Sequence, residues 1–556
     1  MVERTVSLIG LMALCVLLVS PGAVLGQDAG VTFDRILNAE NEPENWLTYS
    51  GGYDSQRHST LDQIDADNVA DLELKWVYQA ESLDVFQTSP LVVDGIMYLT
   101  EAPNTVVALD AKLGRVFWRY EYTPSNLSRP CCGRVNRGLG MLGHTLFMAT
   151  IDARLIAIDA RTGRPLWFKQ IASPDEGYAM TLAPLIIKDK VIIGVAGGEY
   201  GVRGFIAAYE ADTGEEAWRF YTIPGPGEPG HETWGGGDAW MHGGASVWLT
   251  GSYDPDLNLT YWGIGNPGPD WNPEQRPGDN LYSDCVVALN ADTGELEWYF
   301  QFTPNDDYDY DSVQIPVLVD YPAQDGSTLK LMLWGNRNGF FYVLDRQNGQ
   351  FISGDPYVFV NWAESLDDNG RPVETPQAEG EPTFPGVQGG TNWYSPSYSP
   401  STELFYLSAW EGYGSIFEAE PAEYEPGRLF LGGRPGNALP GAPVIPGIRR
   451  GAINNWTEAQ GTGALIAIDP ATGGERWRFD MTDVTSSGVL TTSADLLFTG
   501  NREGYFHALD ARTGDLLWRR TLGGMIANGP MSFGVDGDQF VVAAAGHSLF
   551  VFGLPE

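Results

Sequence analysis

The chain has 556 residues and a formal charge of −39, so its surface repels phosphates and a nucleic-acid partner is excluded. Glycine (68), proline (36) and tryptophan (18) are plentiful while charged residues make up 19%, which suits short strands and tight turns better than helices.

Residues 1–26, MVERTVSLIGLMALCVLLVSPGAVLG, combine a charged start, an apolar run and small residues at the end. That order predicts a secretory signal peptide, with residues 27–556 as the mature domain. A membrane anchor is the competing reading, but the run is short and lacks a basic stop flank. No later stretch is apolar enough to cross a bilayer, so the mature chain is expected to be soluble and exported. Cys15 would leave with the signal, and the remaining Cys131, Cys132 and Cys285 are too few for a disulfide scaffold. No C-x-x-C-H is present to attach a c-type haem.

A decapeptide then recurs. It ends at Trp118 (LDAKLGRVFW), Trp167 (IDARTGRPLW), Trp218 (YEADTGEEAW), Trp298 (LNADTGELEW), Trp477 (IDPATGGERW) and Trp518 (LDARTGDLLW). A worn copy, LDRQNGQFIS, ends at Ser353. A recurring period of this size predicts a solenoid or a propeller. Each copy reads as strand, turn and strand, with the turn glycine free to take positive φ. Four short strands per repeat make a propeller blade whose tryptophan packs between neighbours. The expected fold is all-β, an eight-bladed propeller of about 66 residues per blade. The segment NWLTYSGGYDSQRHS (45–59) is expected near the last blade, helping to close the ring. Residues 411–460, rich in Pro and Gly, read as an ordered excursion over one face.

Several motifs are decoys. GLGMLG (138–143) matches a dinucleotide fingerprint but precedes a strand-like run rather than a helix. H-E-x-x-H and G-x-S-x-G are absent, and DDYDYD lacks the glycine and closing glutamate of an EF-hand. A different set remains. GGEYG supplies Glu199, GNPGPDWN supplies Asn266, and NDDYDYDS supplies Asp309 and Asp311: hard oxygen donors suited to a large cation. Singly, each reads as a solvated loop residue; together they need a ring that gathers distant strand ends. Arg137, Arg337 and Trp248 accompany them.

With RPCCGRVNRG (129–138), GGEYGVRG, GNPGPDWN followed by RPGDN, and RNGFFYVLDR, the mature chain resembles the pyrroloquinoline quinone (PQQ) dependent alcohol dehydrogenases of the methanol and ethanol dehydrogenase type. The resemblance implies PQQ on the propeller axis, between a tryptophan (Trp248) and a vicinal disulfide (Cys131–Cys132), with two reduced core cysteines as the competing reading of that pair. It implies metal ligation by Glu199, Asn266 and Asp309, catalysis by Asp309 as base with Arg337 beside the quinone oxygens, and cofactor contacts from Arg137, Thr181 and Asn392. Gly197, Gly198 and Trp393 are further members of that shell. Cys285 reads as a buried small side chain.

Asp311 sits where lanthanide-dependent members of this family carry an aspartate and calcium-dependent members a small residue. A further carboxylate favours a trivalent ion of the La³⁺ or Ce³⁺ type over Ca²⁺, which is the alternative. Three positions depart from the methanol enzymes: Gln87 replaces a PQQ-contacting glutamate, Ala196 a serine, and Ser487 a pocket tryptophan. The last implies a roomier substrate site, so methanol is not the expected substrate. The resulting expectation is a periplasmic enzyme oxidising a small alcohol to an aldehyde or ketone, with a cytochrome c as electron acceptor and a homodimer as the assembly entertained. A dehydrogenase for sugars, polyols or polymeric alcohols and a non-catalytic envelope scaffold are the rivals.

Overall fold

Eight blades of four antiparallel strands, one of them extended by a short fifth strand (His58–Ser59), follow one another around a ring in the computed structural model, which describes residues 30–555 apart from 236, 324–325, 379 and 438–460. The expected signal peptide, with Cys15, and the second half of the 411–460 excursion lie outside the described residues. Blades 1 to 7 span residues 91–121, 140–170, 185–221, 252–301, 317–356, 397–481 and 489–521. Blade 8 takes three strands from residues 531–553 and its outermost strand, Glu73–Gln79, from the other end of the chain. That strand pairs antiparallel with Ser548–Gly553, so the two ends of the fold share one sheet and lock the ring.

The decapeptide acts as a clasp between blades. In the copy ending at Trp167, the Asp159 carboxylate accepts from the amides of Arg161 (2.9 Å) and Thr162 (3.0 Å), which tightens the turn. The turn glycine takes a φ of +72° at Gly163, and the Trp118 ring of blade 1 lies 2.6 Å from where a Cβ would stand. Only glycine admits both the backbone angle and the ring. The same ring-on-glycine contact joins Trp167 to Gly214, Trp218 to Gly294, Trp298 to Gly349 and Trp477 to Gly514. Trp76, which belongs to no contiguous decapeptide, makes it with Gly114 between blades 8 and 1. The indole N–H donates to an alanine carbonyl of the next blade at 3.0–3.2 Å from Trp118, Trp167, Trp218, Trp477 and Trp76. In the worn copy Arg346 replaces that alanine and its carbonyl takes the Tyr261 hydroxyl at 2.9 Å, leaving the Trp298 indole N–H without a partner among the described residues.

The 45–59 segment touches the last blade, as expected, through Trp46 and Arg57, but the strand that closes the ring is Glu73–Gln79. The segment threads the axis, where Tyr253, Leu318 and Tyr398 donate their amides to the carbonyls of Tyr53 (3.0 Å), Asp54 (2.8 Å) and Gln56 (2.9 Å), and His58–Ser59 pairs parallel with Thr491–Thr492. These partners are the innermost strands of blades 4, 5, 6 and 7 in turn, and Trp46 exchanges two backbone bonds with Val92 in the innermost strand of blade 1. Arg57, almost fully buried, donates to the carbonyls of Tyr49, Gly529 and Pro530 and to Ser89 Oγ. An extended segment satisfies the inner edges of the ring, which a strand added at the rim would leave bare.

Two imidazoles, His507 buried and His58 partly buried, make the ring acid-sensitive. Burial pulls His58 and His507 down to about 4, and neither ring nitrogen of His507 has a hydrogen-bond partner among the described residues. A folded-state value below the unfolded one gives stability that is complete above about pH 6.5 and is lost as pH falls through 4. The loss is about 3 kcal/mol for each group. Urea titrations from pH 7 to pH 4 are expected to show His507→Phe losing about 3 kcal/mol less than the parent; equal losses would place the acid sensitivity elsewhere.

Candidate active site

In an antiparallel blade, the loop entering the innermost strand and the loop joining the second and third strands emerge on the same face. Every site residue expected from the sequence lies in such a loop. Gln87 precedes blade 1; Cys131, Cys132 and Arg137 join blades 1 and 2; Thr181 lies between 2 and 3, and Trp248 between 3 and 4. Asp309 and Asp311 lie between 4 and 5, and Asn392 and Trp393 between 5 and 6. Gly197, Gly198 and Glu199, then Asn266, then Arg337, occupy the second-to-third strand loops of blades 3, 4 and 5.

These loops surround a cavity of about 360 Å³, within the range of small-ligand sites. Its walls include Gln87, Cys131, Cys132, Arg137, Thr181, Gly197, Glu199, Trp248, Asp309, Asp311, Arg337, Asn392 and Trp393. Gly198 and Asn266 sit just behind the wall: Asn266 is buried and its amide donates to Asp311 Oδ1 at 3.0 Å. Ala196 is also in the wall, whereas Ser487 is not. Ser487 is fully buried, its Oγ bonded to the Gly488 carbonyl (3.0 Å) and the Gly500 amide (2.9 Å), so it adds no room to the cavity.

Cys131 and Cys132 form a disulfide with Cα atoms 3.8 Å apart. Glu199 Oε1 lies 2.6 Å from Cys131 Sγ, a sulfur with no proton to donate. Burial, with the Asp311 charge adding to it, pushes Glu199 up to about 7. Asp309 has a left-handed φ of +61° and shares the Arg337 guanidinium with Asp311. Nη2 donates to Asp309 Oδ2 at 3.1 Å and Nη1 to Asp311 Oδ2 at 2.7 Å. Burial nonetheless holds the Asp309 carboxyl well above the usual carboxylate range; Arg337 opposes the shift, while Asp311, Glu199 and Asp306 reinforce it. On the cofactor side, Arg137 donates to Thr181 Oγ1 at 2.9 Å and lies 5.1 Å from the Trp248 ring and 5.2 Å from that of Trp393. Its Nε and the Gln87 Oε1 are buried with no partner among the described residues. Cys285 is buried away from the chemistry, with its Sγ on the Ser283 carbonyl at 3.2 Å.

Sequence reasoning missed a second layer of charge. Asp270, Asp284 and Asp306 are all buried near Asp309 or Asp311, and each is raised chiefly by burial. Neither carboxylate oxygen of Asp284 has a hydrogen-bond partner among the described residues, nor does Oδ1 of Asp270. Arg276, also fully buried, gives its protons to the carbonyls of Pro269, Asp270 and Asp306 and to the side chains of Asn280 and Asn305, and none to a carboxylate. The region thus holds the carboxylates of Glu199, Asp270, Asp284, Asp306, Asp309 and Asp311 against the guanidinium groups of Arg276 and Arg337. A surplus of buried acid on this scale needs protons or a cation. Asp270 stands inside the quoted GNPGPDWN, but nothing in YSDCVV marks Asp284 as part of the site.

The family model described as glucose/ethanol/alcohol dehydrogenase, β-propeller domain, matches residues 46–354. A second, described as outer membrane protein assembly factor BamB, matches 461–552. The quinoprotein alcohol dehydrogenase PedH of Pseudomonas putida is 38% identical over 549 residues, covering 93% of this chain and 89% of its own. This chain belongs to the PQQ-dependent quinoprotein alcohol dehydrogenase family. Within that family, the lanthanide-dependent methanol dehydrogenase of Methylacidiphilum fumariolicum is 36% identical over 545 residues, covering 92% of this chain and 86% of its own. A solved europium-containing methanol dehydrogenase superposes on this quinoprotein with a TM-score of 0.85 at 33% identity, over 94% of this chain and all of that one. The quinohemoprotein alcohol dehydrogenase of Comamonas testosteroni also gives 0.85, at 34% identity over 95% of this chain and 84% of that chain. Among the described residues of this quinoprotein, no helix is long and apolar enough to cross a membrane.

Proposed function

We propose that this protein is a periplasmic dehydrogenase that oxidises a small alcohol to an aldehyde or ketone using PQQ and a trivalent lanthanide. The observation that carries this reading is the pairing of Asp309 and Asp311 on one guanidinium, beside Glu199 and amid a surplus of buried carboxylates. A charge of three offsets that surplus better than a charge of two, which favours La³⁺ or Ce³⁺ over Ca²⁺.

The residues present fit both groups. The orphaned Arg137 Nε–H matches an anionic oxygen of an acidic ligand and the orphaned Gln87 Oε1 an N–H or O–H donor, while the Trp248 ring and the Cys131–Cys132 disulfide offer apolar walls to a conjugated one. Gln87, Cys131, Cys132, Arg137, Thr181, Gly197, Gly198, Trp248, Arg337, Asn392 and Trp393 would hold PQQ; Glu199, Asn266, Asp309 and Asp311 would hold the metal. When bound, PQQ supplies a two-electron acceptor and the metal a Lewis acid that increases its demand for electrons. Asp309 then takes the hydroxyl proton of the substrate. It must be an anion to do so, and Arg337 alone leaves its carboxyl raised. Arg337 fixes the orientation of Asp309 and places positive charge where negative charge develops.

The vicinal disulfide belongs in an oxidising compartment, consistent with export to the periplasm. For the acceptor, loops on the site face expose Leu83, Leu127, Met241, Phe359 and Leu429. Exposed apolar side chains on the site face of a strongly acidic chain suit a basic cytochrome c.

Reconstitution with PQQ plus La³⁺ or Ca²⁺, followed by dye reduction across primary, secondary and polyhydric alcohols, tests this reading. La³⁺-dependent turnover of small alcohols is expected. Turnover with Ca²⁺ alone would defeat the lanthanide assignment, preference for polyols would move the substrate class, and no turnover with either ion would favour a scaffold.

A further inference from the structure

The described part of the excursion from blade 6, residues 411–437, reaches every loop to which the proposed metal site is assigned. It forms a hairpin of Ser415–Ala419 with Gly433–Asn437, and residues 420–432 extend from it towards blades 3 and 4.

Glu199 needs an outside constraint. Its short turn, Gly198–Tyr200, is flanked by Gly197 (φ +117°) and Gly201 (φ +63°), two residues with the freest backbones available. The Glu199 carbonyl accepts the Phe430 amide at 2.7 Å, and the Phe430 and Tyr424 rings each stand 3.0 Å from where a Cβ on Gly201 would lie. Tyr424 is itself held by a stack on His242, with ring centroids 3.5 Å apart. The long Asn266 loop is held next. The Trp271 amide donates to the Leu431 carbonyl (3.0 Å), Asn272 Nδ2 to the Glu420 carbonyl (3.0 Å), and Gln275 exchanges two bonds with Ala422 at 2.8 and 2.9 Å. On the remaining side, Phe417 sets its ring edge-on to Tyr308, the neighbour of Asp309, at 5.4 Å. Ser415 Oγ accepts the Val387 amide at 3.0 Å, and the Val387 carbonyl is an acceptor for Arg337.

We infer that residues 415–432 are a buttress that positions the metal-site loops, Phe430 acting on Glu199 and Leu431 and Ala422 on the Asn266 loop, so that metal affinity depends on a segment that supplies no ligand. This rests on the metal reading above. Loops entering from three different connections share no local reason to converge, and the freedom that the Gly197 and Gly201 backbones leave to Glu199 would be paid in affinity on binding.

The test uses the full mature chain without metal or PQQ, titrated with Tb³⁺ and read by tryptophan-sensitised luminescence. Phe430→Pro removes the N–H given to Glu199 and is expected to weaken Tb³⁺ binding about tenfold. Phe430→Leu keeps that N–H and is expected to stay within about threefold of the parent. Tyr424→Ala, which loosens the strap without touching the bond, should fall between them. Melting curves of the metal-free proteins report whether the propeller is intact; should Phe430→Pro melt early, the Tyr424→Ala result decides. Parental affinity in Tyr424→Ala, or in an intact Phe430→Pro, overturns the buttress. Absence of Tb³⁺ binding to the parent would instead remove the metal reading beneath it.

Discussion

Asp309→Asn is expected to lower kcat for alcohol oxidation by about a thousandfold in protein reconstituted with PQQ and La³⁺. The substitution is nearly isosteric: the amide oxygen can still accept from Arg337 Nη2, now 3.1 Å from Asp309 Oδ2, and Nη1 keeps its 2.7 Å bond to Asp311. What disappears is a group able to take a proton, together with one anionic donor to the cation. The two losses separate experimentally, because Tb³⁺ titration of the same variant reports the ligand role without turnover. A kcat within tenfold of the parent at saturating metal would show that another group takes the hydroxyl proton. Glu199 would be the next candidate, since it lines the same cavity and is pushed up to about 7.

Replacing Asp311 carries the second large effect, and it is selective. Asp311→Ala is expected to cut La³⁺-supported turnover by at least about a hundredfold while leaving Ca²⁺-supported turnover unchanged or higher. The carboxylate has three roles: Oδ2 accepts from Arg337, Oδ1 accepts from the Asn266 amide at 3.0 Å, and its charge raises both Glu199 and Asp309. Removing a buried partner of Arg337 also destabilises, by about 3 kcal/mol or more. Asp311→Asn, which keeps an acceptor but not the charge, is therefore the companion variant. If both variants lose La³⁺ turnover and keep Ca²⁺ turnover, charge sets the metal. Equal loss with the two ions would mean that Asp311 serves the fold rather than the choice of ion.

The blades were legible because the signal is local. An aspartate that closes a turn on its own backbone, a glycine at positive φ and a tryptophan a few residues on are all read within ten positions. The same reading missed Trp76 for a physical reason: blade 8 is split between the chain ends, with its third strand at Ser548–Gly553 and its fourth at Glu73–Gln79. The clasp is complete in space and cut in two in sequence. Expecting 45–59 to close the ring was the matching error, because an unpaired N-terminal stretch looks the same whether it adds to a rim or fills an axis.

The site divides in the same way. Asp309, Tyr310 and Asp311 stand next to one another, and the RPCCGRVNRG run places its thiols side by side, so the chemistry of those short stretches is visible without a fold. Burial and company are not. Asp284 lies next to Cys285 in an ordinary strand start, and only the ring packs its carboxylate, without a hydrogen-bond partner among the described residues, near Asp306 and Asp311. Ser487, standing where the resemblance expects a pocket tryptophan, suggested a roomier site, yet the backbone of Gly488 and Gly500 encloses it.

The sequence by itself determined the blade type, the clasp between blades and the kinds of donor available for a cofactor and a hard cation, because each follows from residues close enough along the chain to constrain one another. Tertiary structure alone decided that eight sheets close through Glu73–Gln79, that 45–59 fills the axis, that buried acids outnumber buried guanidinium groups around one cavity, and that a strap from blade 6 grips loops from blades 3, 4 and 5. Those contacts join residues separated by up to hundreds of positions, and their energies exist only once ring closure has brought the loops to one face.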